Sequence, residues 1–270
     1  MSLASAELAA SISTLADAAG AAILEIYARS DPGTREKADR TPVTEADLES
    51  ERLILAGLRE LTPDVPIVAE ESVAAGVVPE TDDGPFWLVD PLDGTREFLS
   101  GNGEFTVNIA LVEAGVPVLG VVHLPVQDTS YLGGAGAATV AKGHERRNLG
   151  VVQANEAGFR VLVSRSHLDE ETERWLADVP VTERISAGSS LKFCRIAEGA
   201  ADLYPRFGRT MEWDTAAGQA VLLAAGGAVT TPSGTPLRYG KPGFANPSFL
   251  AFGATAPQAR GDVETGHRGT

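Results

Sequence analysis

Two aspartates lie three positions apart, directly after an apolar run, near residue 90 of this 270-residue chain. The apolar run, residues 86–89, is typical of a buried strand, and Asp90, Pro91, Leu92 and Asp93 follow it. Aspartate is common in turns because its side chain bonds the local backbone, so a solvated turn is the alternative interpretation. Pro91, however, removes a backbone donor that could satisfy a carboxylate. Because like charges beside a buried strand end are costly, this pattern favours a bound cation.

The other candidate ligands in the sequence narrow the identity of this cation. No spacing of cysteine and histidine resembles a zinc site, since there is one cysteine and the four histidines are scattered. A set of carboxylate, carbonyl and water oxygens suits a hard ion, Mg²⁺ or alternatively Mn²⁺ or Ca²⁺. An EF-hand loop is absent, which argues against a calcium sensor. The cysteine, Cys194, lies in a helical apolar pattern and is interpreted as a small buried side chain rather than a nucleophile.

Gly94 and Thr95 add a second chemical feature to the acidic pair. Glycine allows a ligand to approach the backbone closely, and free N–H groups at a helix start bind phosphate. Carboxylates that hold a metal beside amides that hold phosphate are the parts of a metal-dependent phosphohydrolase. Phosphatases of the haloacid dehalogenase type need acids two positions apart, whereas Asp90 and Asp93 are three apart. The sequence therefore predicts a metal-dependent phosphohydrolase of a different type.

The N-terminal half must supply the elements that position these residues, and its pattern predicts an α+β arrangement. Apolar residues at helical spacing predict a helix over residues 4–28. Thr44 is the predicted N-cap of a second helix, with Asp47 at its third position. The predicted buried stripe of that helix consists of Leu48, Leu55, Leu58 and Leu61. A short strand over 65–69 ends at Glu70, and runs over 105–112 and 116–124 predict a hairpin.

The C-terminal half alternates predicted strands and helices, which indicates an α/β arrangement. Strands are expected at residues 159–163, 181–185 and 203–204, and helices at 168–176, 189–198 and 214–225. The segment 133–158, rich in Gly and Ala, is the predicted boundary, and its glycines 133–136 are interpreted as a loop. The expected division is an α+β half over 1–145, an α/β half over 146–255 and a disordered tail over 256–270.

Composition excludes several classes of protein. A formal net charge of −15 argues against general nucleic-acid binding, which needs clustered Lys and Arg. The N-terminus lacks a basic region before its apolar residues, so no signal peptide is predicted. No apolar run approaches the roughly 20 residues of a membrane span. A single cysteine suits a reducing compartment, and we expect a cytoplasmic protein.

Four segments occur in an order that resembles the lithium-sensitive inositol monophosphatase superfamily. They are ADRTPVTEAD at 38–47, VAEES at 68–72, DPLDGTREF at 90–98 and EWDTAAGQAVLLAAGG at 212–227. Within it, the chain is more similar to the 3′(2′),5′-bisphosphate nucleotidases of the CysQ type. That similarity rests on REF at 96–98, NGEFTVNIAL at 102–111, GSSLKFCRIAEGAADLYPRFG at 188–208 and NPSF at 246–249. Inositol monophosphatases more often carry an Asn two residues after the Thr and lack the LYPRFG run.

The resemblance implies roles for individual residues and a layered α/β/α/β/α sugar-phosphatase-like fold. The metal ligands it implies are Glu70, Asp90, the carbonyl of Leu92, Asp93 and Asp214, holding two or three Mg²⁺ ions. The residues it implies for orienting the attacking water are Asp47, Glu70 and Thr95. The substrate contacts it implies are Asp93, Gly94, Thr95, Gly188, Ser189, Lys192, Arg206 and Asp214. Local interpretations compete, since Asp47 and Asp214 could serve as helix caps and Lys192 could be solvated.

The activity that the resemblance implies is hydrolysis of the 3′-phosphate of adenosine 3′,5′-bisphosphate to AMP and phosphate, within sulfate assimilation. Inhibition by lithium at the magnesium site is also implied. The alternatives are an inositol monophosphatase, a fructose-1,6-bisphosphatase, or a non-catalytic module that binds a phosphorylated ligand. We expect a small-molecule substrate, no nucleic acid, no membrane span, and either a monomer or a homodimer.

Overall fold

Helices and strands alternate along the computed structural model, which describes residues 2–37, 41–81, 84–164 and 169–257. The α-helices of these ranges are α1 (Ala6–Tyr27), α2 (Glu45–Leu61), α3 (Glu70–Ala74), α4 (Thr95–Ser100), α5 (Glu170–Leu176), α6 (Leu191–Ala197) and α7 (Ala216–Ala224). The first strands are β1 (Arg35–Glu36), β2 (Pro42–Val43), β3 (Ile67–Ala69), β4 (Phe86–Asp93), β5 (Thr106–Glu113), β6 (Val116–Leu124), β7 (Thr129–Gly134), β8 (Ala137–Lys142) and β9 (Glu145–Asn148). The later strands are β10 (Phe159–Ser164), β11 (Val181–Ala187), β12 (Leu203–Arg206), β13 (Ala228–Thr230) and β14 (Phe249–Phe252).

The first large sheet has the order β3-β4-β5-β6-β7-β8-β9 and is antiparallel except for the β3–β4 pair. The predicted hairpin is confirmed as β5 and β6, which pair antiparallel. The interpretation of residues 133–136 as a loop was wrong in part, because Gly133 and Gly134 belong to β7. Strand β9 spans the predicted boundary at residue 145, and the division into two halves stays a prediction.

Side chains of this sheet alternate between two separate cores, as the two-residue period of a strand requires. In β5, Val107, Ile109 and Leu111 are buried on the face that α1 and α2 cover. Ala110 and Val112 are buried on the opposite face, against α7 and the second sheet. The central strands are therefore covered on both sides, which explains why their sequences are almost continuously apolar.

Gly133 allows helix α7 to pack directly against the sheet. A Cβ atom built at this glycine would lie 2.3 Å from the Cα of Val221, which belongs to α7. Backbone atoms cannot yield to such a clash, so only glycine fits at this position of β7.

Helix α1 departs from one expectation, because it is long and apolar enough to cross a membrane by length and composition. The prediction that no apolar run approaches that length was therefore wrong. In the fold, Ile12 and Ile23 are fully buried, and α1 packs against α2 and β6. Asp17 and Glu25 lie on its exposed face. This is the pattern of a core-facing amphipathic helix.

The second sheet has the order β11-β10-β12-β14-β13 and is mixed, with β14 antiparallel to both of its neighbours. The predicted strands and helices of this half are present, although the helix predicted over 168–176 begins at Glu170, and Leu168 is outside the described residues. Strands β13 and β14 were missed. Leu176 of α5 packs against Phe159 and Leu203 on the outer face. Helices α6 and α7 lie between the sheets, so the predicted α/β/α/β/α layering is confirmed.

Neither edge of the first sheet is a long apolar strand. Strand β3 has only three residues at one edge, and β9 (Glu145–Asn148) is exposed at all four positions at the other. Three of the four side chains of β9 are charged.

Candidate active site

Strand β4 carries Asp90 and Asp93 to the rim of the first sheet, where its pairing with β5 becomes irregular. The register shifts between Asp90 and Asp93, which is the place where Pro91 interrupts the backbone donors. The hydroxyl of Ser50 in α2 donates to the Pro91 carbonyl at 2.8 Å, and the Leu92 amide donates to Asp90 Oδ1 at 3.1 Å. The irregular strand end is thus fixed by α2 on one side and by its own aspartate on the other.

Gly94 ends the irregular segment and starts helix α4. Its φ of 97° lies in the left-handed region, which glycine adopts without strain. A Cβ atom at this position would also lie 2.5 Å from the hydroxyl of Ser189. Thr95 is the first residue of α4, as the sequence predicted.

Three carboxylates from distant parts of the sequence meet beside this strand end. Single oxygen atoms of Glu70, Asp90 and Asp214 lie within 4.8 Å of one another. Burial raises the pKa of Asp90 and of Asp214 well above the usual range, and the charges of their acidic neighbours raise both further. For Asp93, burial raises the pKa to about 6, although the charge of Lys192 and hydrogen bonds from Ser190 partly oppose this shift. The cluster is electrostatically unfavourable by itself.

The donor set of this cluster fits a hard divalent cation. All three members offer carboxylate oxygens, and the described residues contribute no histidine or cysteine to the group. Mg²⁺ prefers carboxylate oxygens and retains water ligands, so it suits a site that is open to a cleft. A cation would also relieve the repulsion that raises the pKa values of Asp90 and Asp214.

Asp47 performs its local role and also contacts the predicted site. Its Oδ2 accepts hydrogen bonds from the amide and the hydroxyl of Thr44, at 2.7 and 2.6 Å, which completes the predicted capping box. Its Oδ1 accepts a hydrogen bond from the Thr95 hydroxyl at 3.2 Å. The two interpretations of Asp47 are therefore compatible.

The buried face of α2 differs from the predicted leucine stripe. Leu58 is fully buried and Leu55 packs against the core, as predicted. Leu48 and Leu61 are instead 44% and 40% exposed, whereas Asp47, Ser50 and Glu51 are buried. The prediction was wrong for these two leucines because the buried face of the helix also contacts the polar strand end. Glu51 accepts hydrogen bonds from the Glu71 amide and the Ser72 hydroxyl, at 2.9 and 2.6 Å, and so anchors the segment that carries Glu70.

Lys37, which the sequence did not predict as a site residue, is a cation beside the carboxylate cluster. Its Nζ lies 2.7 Å from Glu70 Oε1 and 2.6 Å from Glu71 Oε1. Burial alone would lower the pKa of Lys37, but the charges and hydrogen bonds of these two glutamates raise it above its ordinary value. Burial also raises the pKa of Glu71 to about 7, despite the nearby ammonium. Residues 38–40, which begin the first family segment, lie outside the described residues.

Above the carboxylates is a cleft of about 300 Å³ that brings nearly all predicted site residues together. Its lining includes Glu70, Asp90, Leu92, Asp93, Gly94, Thr95, Gly188, Ser189, Lys192, Arg206 and Asp214. Asp47 is not part of the lining and reaches the cleft through Thr95. A second cavity of about 500 Å³ shares Glu70 and Asp214 with the first and is bordered by Lys37 and Trp213.

The predicted basic residues of the cleft are held in place by backbone carbonyls. Lys192 is 4% exposed, and its Nζ donates to the carbonyl of Ser189 at 2.7 Å and to that of Ala187 at 3.3 Å. Burial lowers the pKa of Lys192 to about 8, although the charge of Asp93 opposes the shift. Arg206 donates to the carbonyls of Gly208 and Arg209 at 3.2 and 3.1 Å. The interpretation of Lys192 as a solvated lysine was wrong.

Asp214 precedes helix α7 but does not cap it. The N-cap is Thr215, and Asp214 Oδ2 instead accepts a hydrogen bond from the Met211 amide at 2.8 Å. Ser190, another residue that the sequence analysis missed, contacts both Asp93 and Asp214. Its position in the pair Ser189-Ser190 was the available signal, but only the fold shows which hydroxyl contacts the Asp93 carboxylate and the Asp214 carbonyl.

Comparison with known proteins gives consistent results for sequence and fold. The model of the inositol monophosphatase family matches residues 5–261. The 3′(2′),5′-bisphosphate nucleotidase CysQ of Escherichia coli K12 is 47% identical over 237 residues, covering 87% of this chain and 95% of that protein. The protein of the same name from Salmonella typhimurium LT2 is also 47% identical, with the same coverage.

Two solved structures show the same relationship. The crystal structure of CysQ from Bacteroides thetaiotaomicron matches with a TM-score of 0.78 and 40% identity, over 93% of this chain and 98% of that one. An inositol monophosphatase from Anabaena matches with a TM-score of 0.70 and 28% identity, over 91% and 89% of the two chains. With its carboxylate cluster at the rim of the first sheet, this chain belongs to the inositol monophosphatase family.

Proposed function

We infer that this chain is a metal-dependent 3′(2′),5′-bisphosphate nucleotidase, which hydrolyses the 3′-phosphate of adenosine 3′,5′-bisphosphate to AMP and phosphate. The observation that carries the inference is the cluster of Glu70, Asp90 and Asp214, in a chain 47% identical to nucleotidases of that name over 87% of its length. The nucleotide is a product of sulfate assimilation, so the enzyme acts in that process.

The proposed metal ligands are Glu70, Asp90, Asp93, Asp214 and the carbonyl of Leu92, which would hold two or three Mg²⁺ ions. Bound Mg²⁺ would neutralise the oxygens of the scissile phosphate and lower the pKa of a coordinated water. The chain supports this arrangement by fixing the irregular strand end through Ser50 and by tying Asp214 to the Met211 amide. Lithium inhibition at this site stays part of the proposal.

Thr95 and Glu70 are proposed to orient the attacking water, and Glu70 is proposed to receive its proton. Because the Thr95 hydroxyl donates to Asp47, its lone pairs remain available to accept a hydrogen bond from water. Glu70 also lines the cleft, and its carboxylate is the group of this pair that can take up the proton. Water then attacks phosphorus in line, and the bond from phosphorus to the 3′-oxygen breaks. The leaving oxygen takes a proton from solvent, and Glu70 returns its proton to solvent.

Substrate binding is assigned to residues that line the same cleft. The amides of Gly94 and Thr95 are proposed to hold the scissile phosphate, with Asp93 and Asp214 adjacent. Gly188, Ser189, Lys192 and Arg206 are proposed to contact the rest of the nucleotide. The support for this assignment is that all of them line one cleft and that its basic residues are preorganised by backbone carbonyls.

A comparison of phosphate release from three substrates at matched Mg²⁺ concentrations tests the activity. We expect kcat/KM for adenosine 3′,5′-bisphosphate to exceed the values for inositol 1-phosphate and fructose 1,6-bisphosphate. Release from the nucleotide no faster than from the other two would contradict the substrate assignment. Thermal stabilisation by the nucleotide without phosphate release would instead indicate a non-catalytic binding protein.

Two further expectations belong to this proposal. A cytoplasmic location is supported by the single cysteine, Cys194, which is buried and unpaired by a disulfide. The enzyme is proposed to act as a monomer or a homodimer on a small molecule. Sedimentation of the purified chain with and without Mg²⁺ distinguishes the two assembly states.

A further inference from the structure

Ser190 lies at the junction of three polar groups that come from different parts of the fold. It immediately precedes α6 and is 1% exposed. Its hydroxyl oxygen lies 3.0 Å from Asp93 Oδ2, 2.8 Å from the Asp214 carbonyl and 2.9 Å from Asn108 Nδ2. Its amide also donates to Asp93 Oδ2, at 2.7 Å. One serine thus connects the end of β4, the segment before α7 and strand β5.

The hydrogen-bond capacities of these groups determine the direction of the contacts. Asn108 Nδ2 donates to the Ser190 oxygen, so the hydroxyl hydrogen is directed towards Asp93 or the Asp214 carbonyl, both of which are acceptors. Asn108 is 1% exposed, and β-sheet pairing places it opposite Asp90. An amide buried at this position is expensive unless it makes a specific contact. Its Nδ2 makes that contact with Ser190, whereas its Oδ1 has no hydrogen-bond partner among the described residues.

We propose that Ser190, oriented by Asn108, is a positioning residue that holds Asp93 and Asp214 at the separation that metal binding requires. This inference rests on the metal site of the proposed function but not on the identity of the substrate. Asp93 ends a strand of the first sheet, whereas Asp214 precedes a helix between the two sheets. Without a bridge, their mutual repulsion favours a wider separation. Ser190 contacts the side chain of one and the backbone of the other, so it resists that movement.

The test measures Mg²⁺ binding to the full-length chain by calorimetry, without nucleotide. Loss of a residue that orients a metal ligand typically weakens metal binding by about 10–100-fold. We expect this loss for Ser190→Ala, and a loss of about tenfold for Asn108→Leu. Phosphate release by either variant should recover at high Mg²⁺. The Mg²⁺ concentration needed for the half-maximal rate should be higher than in the wild type, whereas kcat should change little. The double variant should be no weaker than Ser190→Ala alone, since Asn108 acts through the serine.

Thr106→Val is the matched control. Thr106 lies on the same strand as Asn108, pairs with Asp93 and has a buried hydroxyl with no hydrogen-bond partner among the described residues. Its replacement should leave Mg²⁺ affinity within about twofold of the wild type. Equal weakening by Thr106→Val and Ser190→Ala would overturn the proposal, because it would indicate a general effect of core substitutions.

The remaining outcomes are also decisive. Mg²⁺ affinity unchanged in Ser190→Ala overturns the proposal. If that variant does not fold, Asn108→Leu decides, because it leaves the Ser190 side chain in place and unchanged affinity would again overturn the inference. No Mg²⁺ binding by the wild type overturns it together with the metal assignment. Mg²⁺ binding without nucleotide hydrolysis contradicts only the proposed function, and the variants then still test the role of Ser190.

Discussion

Replacing Asp93 with asparagine should stabilise the metal-free protein while abolishing its Mg²⁺-dependent activity. The side chain keeps its size. In the wild type, Asp93 accepts hydrogen bonds from the Ser190 amide and hydroxyl at 2.7 and 3.0 Å, and the amide oxygen of asparagine can still accept both. What disappears is a carboxylate charge that is mostly buried beside Asp90, Glu70 and Asp214.

The magnitude follows from the proton affinity of the Asp93 carboxyl group. Burial raises its pKa from 3.8 to about 6, and one pKa unit corresponds to about 1.4 kcal/mol. Because the folded state retains a proton that the unfolded state has released, the contribution of Asp93 to wild-type stability falls as pH rises from about 4 to about 6. Asparagine does not titrate, so its advantage grows from near zero at pH 4 to roughly 3 kcal/mol above pH 7.

The assay is thermal unfolding in a chelator across this pH range, repeated with Mg²⁺. At the unfolding entropy typical of a chain of this length, roughly 3 kcal/mol raises Tm by about 5 °C. Mg²⁺ should raise the Tm of the wild type but not of Asp93→Asn, and phosphate release by the variant should fall at least about 100-fold. The exposed Asp178 provides a control, since Asp178→Asn should change neither property.

Two results would refute this reasoning about Asp93. An equal gain in Tm at pH 4 and at pH 7.5 would show that asparagine acts through packing rather than through removal of charge. Retention of near-normal Mg²⁺-dependent turnover would show that Asp93 is not a metal ligand.

Three other substitutions test separate parts of the structure. Since burial lowers the pKa of Lys192 to about 8, kcat/KM for the nucleotide should fall by up to about tenfold per pH unit above pH 8. Lys192→Arg should remove that decline, because arginine stays charged. A pH profile of the variant that matches the wild type would argue against contact between Lys192 and the substrate. Thr95→Val should lower kcat by about 100-fold or more without changing the Tm shift caused by Mg²⁺, whereas Thr95→Ser should retain activity. Loss of Mg²⁺ binding in Thr95→Val would instead indicate that Thr95 binds the metal. Gly133→Ala should lower the free energy of unfolding by about 1–3 kcal/mol in denaturant titrations, because the added Cβ would lie 2.3 Å from Val221 Cα. Gly150→Ala is the control and should be neutral, since no atom lies within 4 Å of the added Cβ.

The sequence predicted the parts of the site that local patterns encode. The capping box of Thr44 and Asp47, the start of α4 after Gly94 and the hairpin of β5 and β6 each depend on nearby residues. The family resemblance supplied the long-range grouping of the carboxylates, which periodicity alone does not contain.

The features that the sequence did not predict depend on contacts between distant segments. Lys37 is separated from Glu70 by 33 positions, and Ser190 from Asp93 by 97. The leucine stripe assigned to α2 failed at Leu48 because a hydrophobic pattern cannot indicate that the buried side of a helix faces a polar strand end. Strand β14 (Phe249–Phe252) was missed because its pairing with β12 and β13 joins segments that lie far apart in the sequence.

The two edges of the first sheet affect how this protein behaves at high concentration. An exposed strand edge offers unpaired amides and carbonyls to any other extended chain. Strand β3 is too short to serve as such a template, and the charged side chains of β9 would lose hydration if an apolar strand paired with it. Because β9 buries none of its side chains, those charges disturb no core packing. The sheet therefore discourages fibril-like association with exposed charges, one of which, Arg147, also pairs with Glu198 at 2.8 Å.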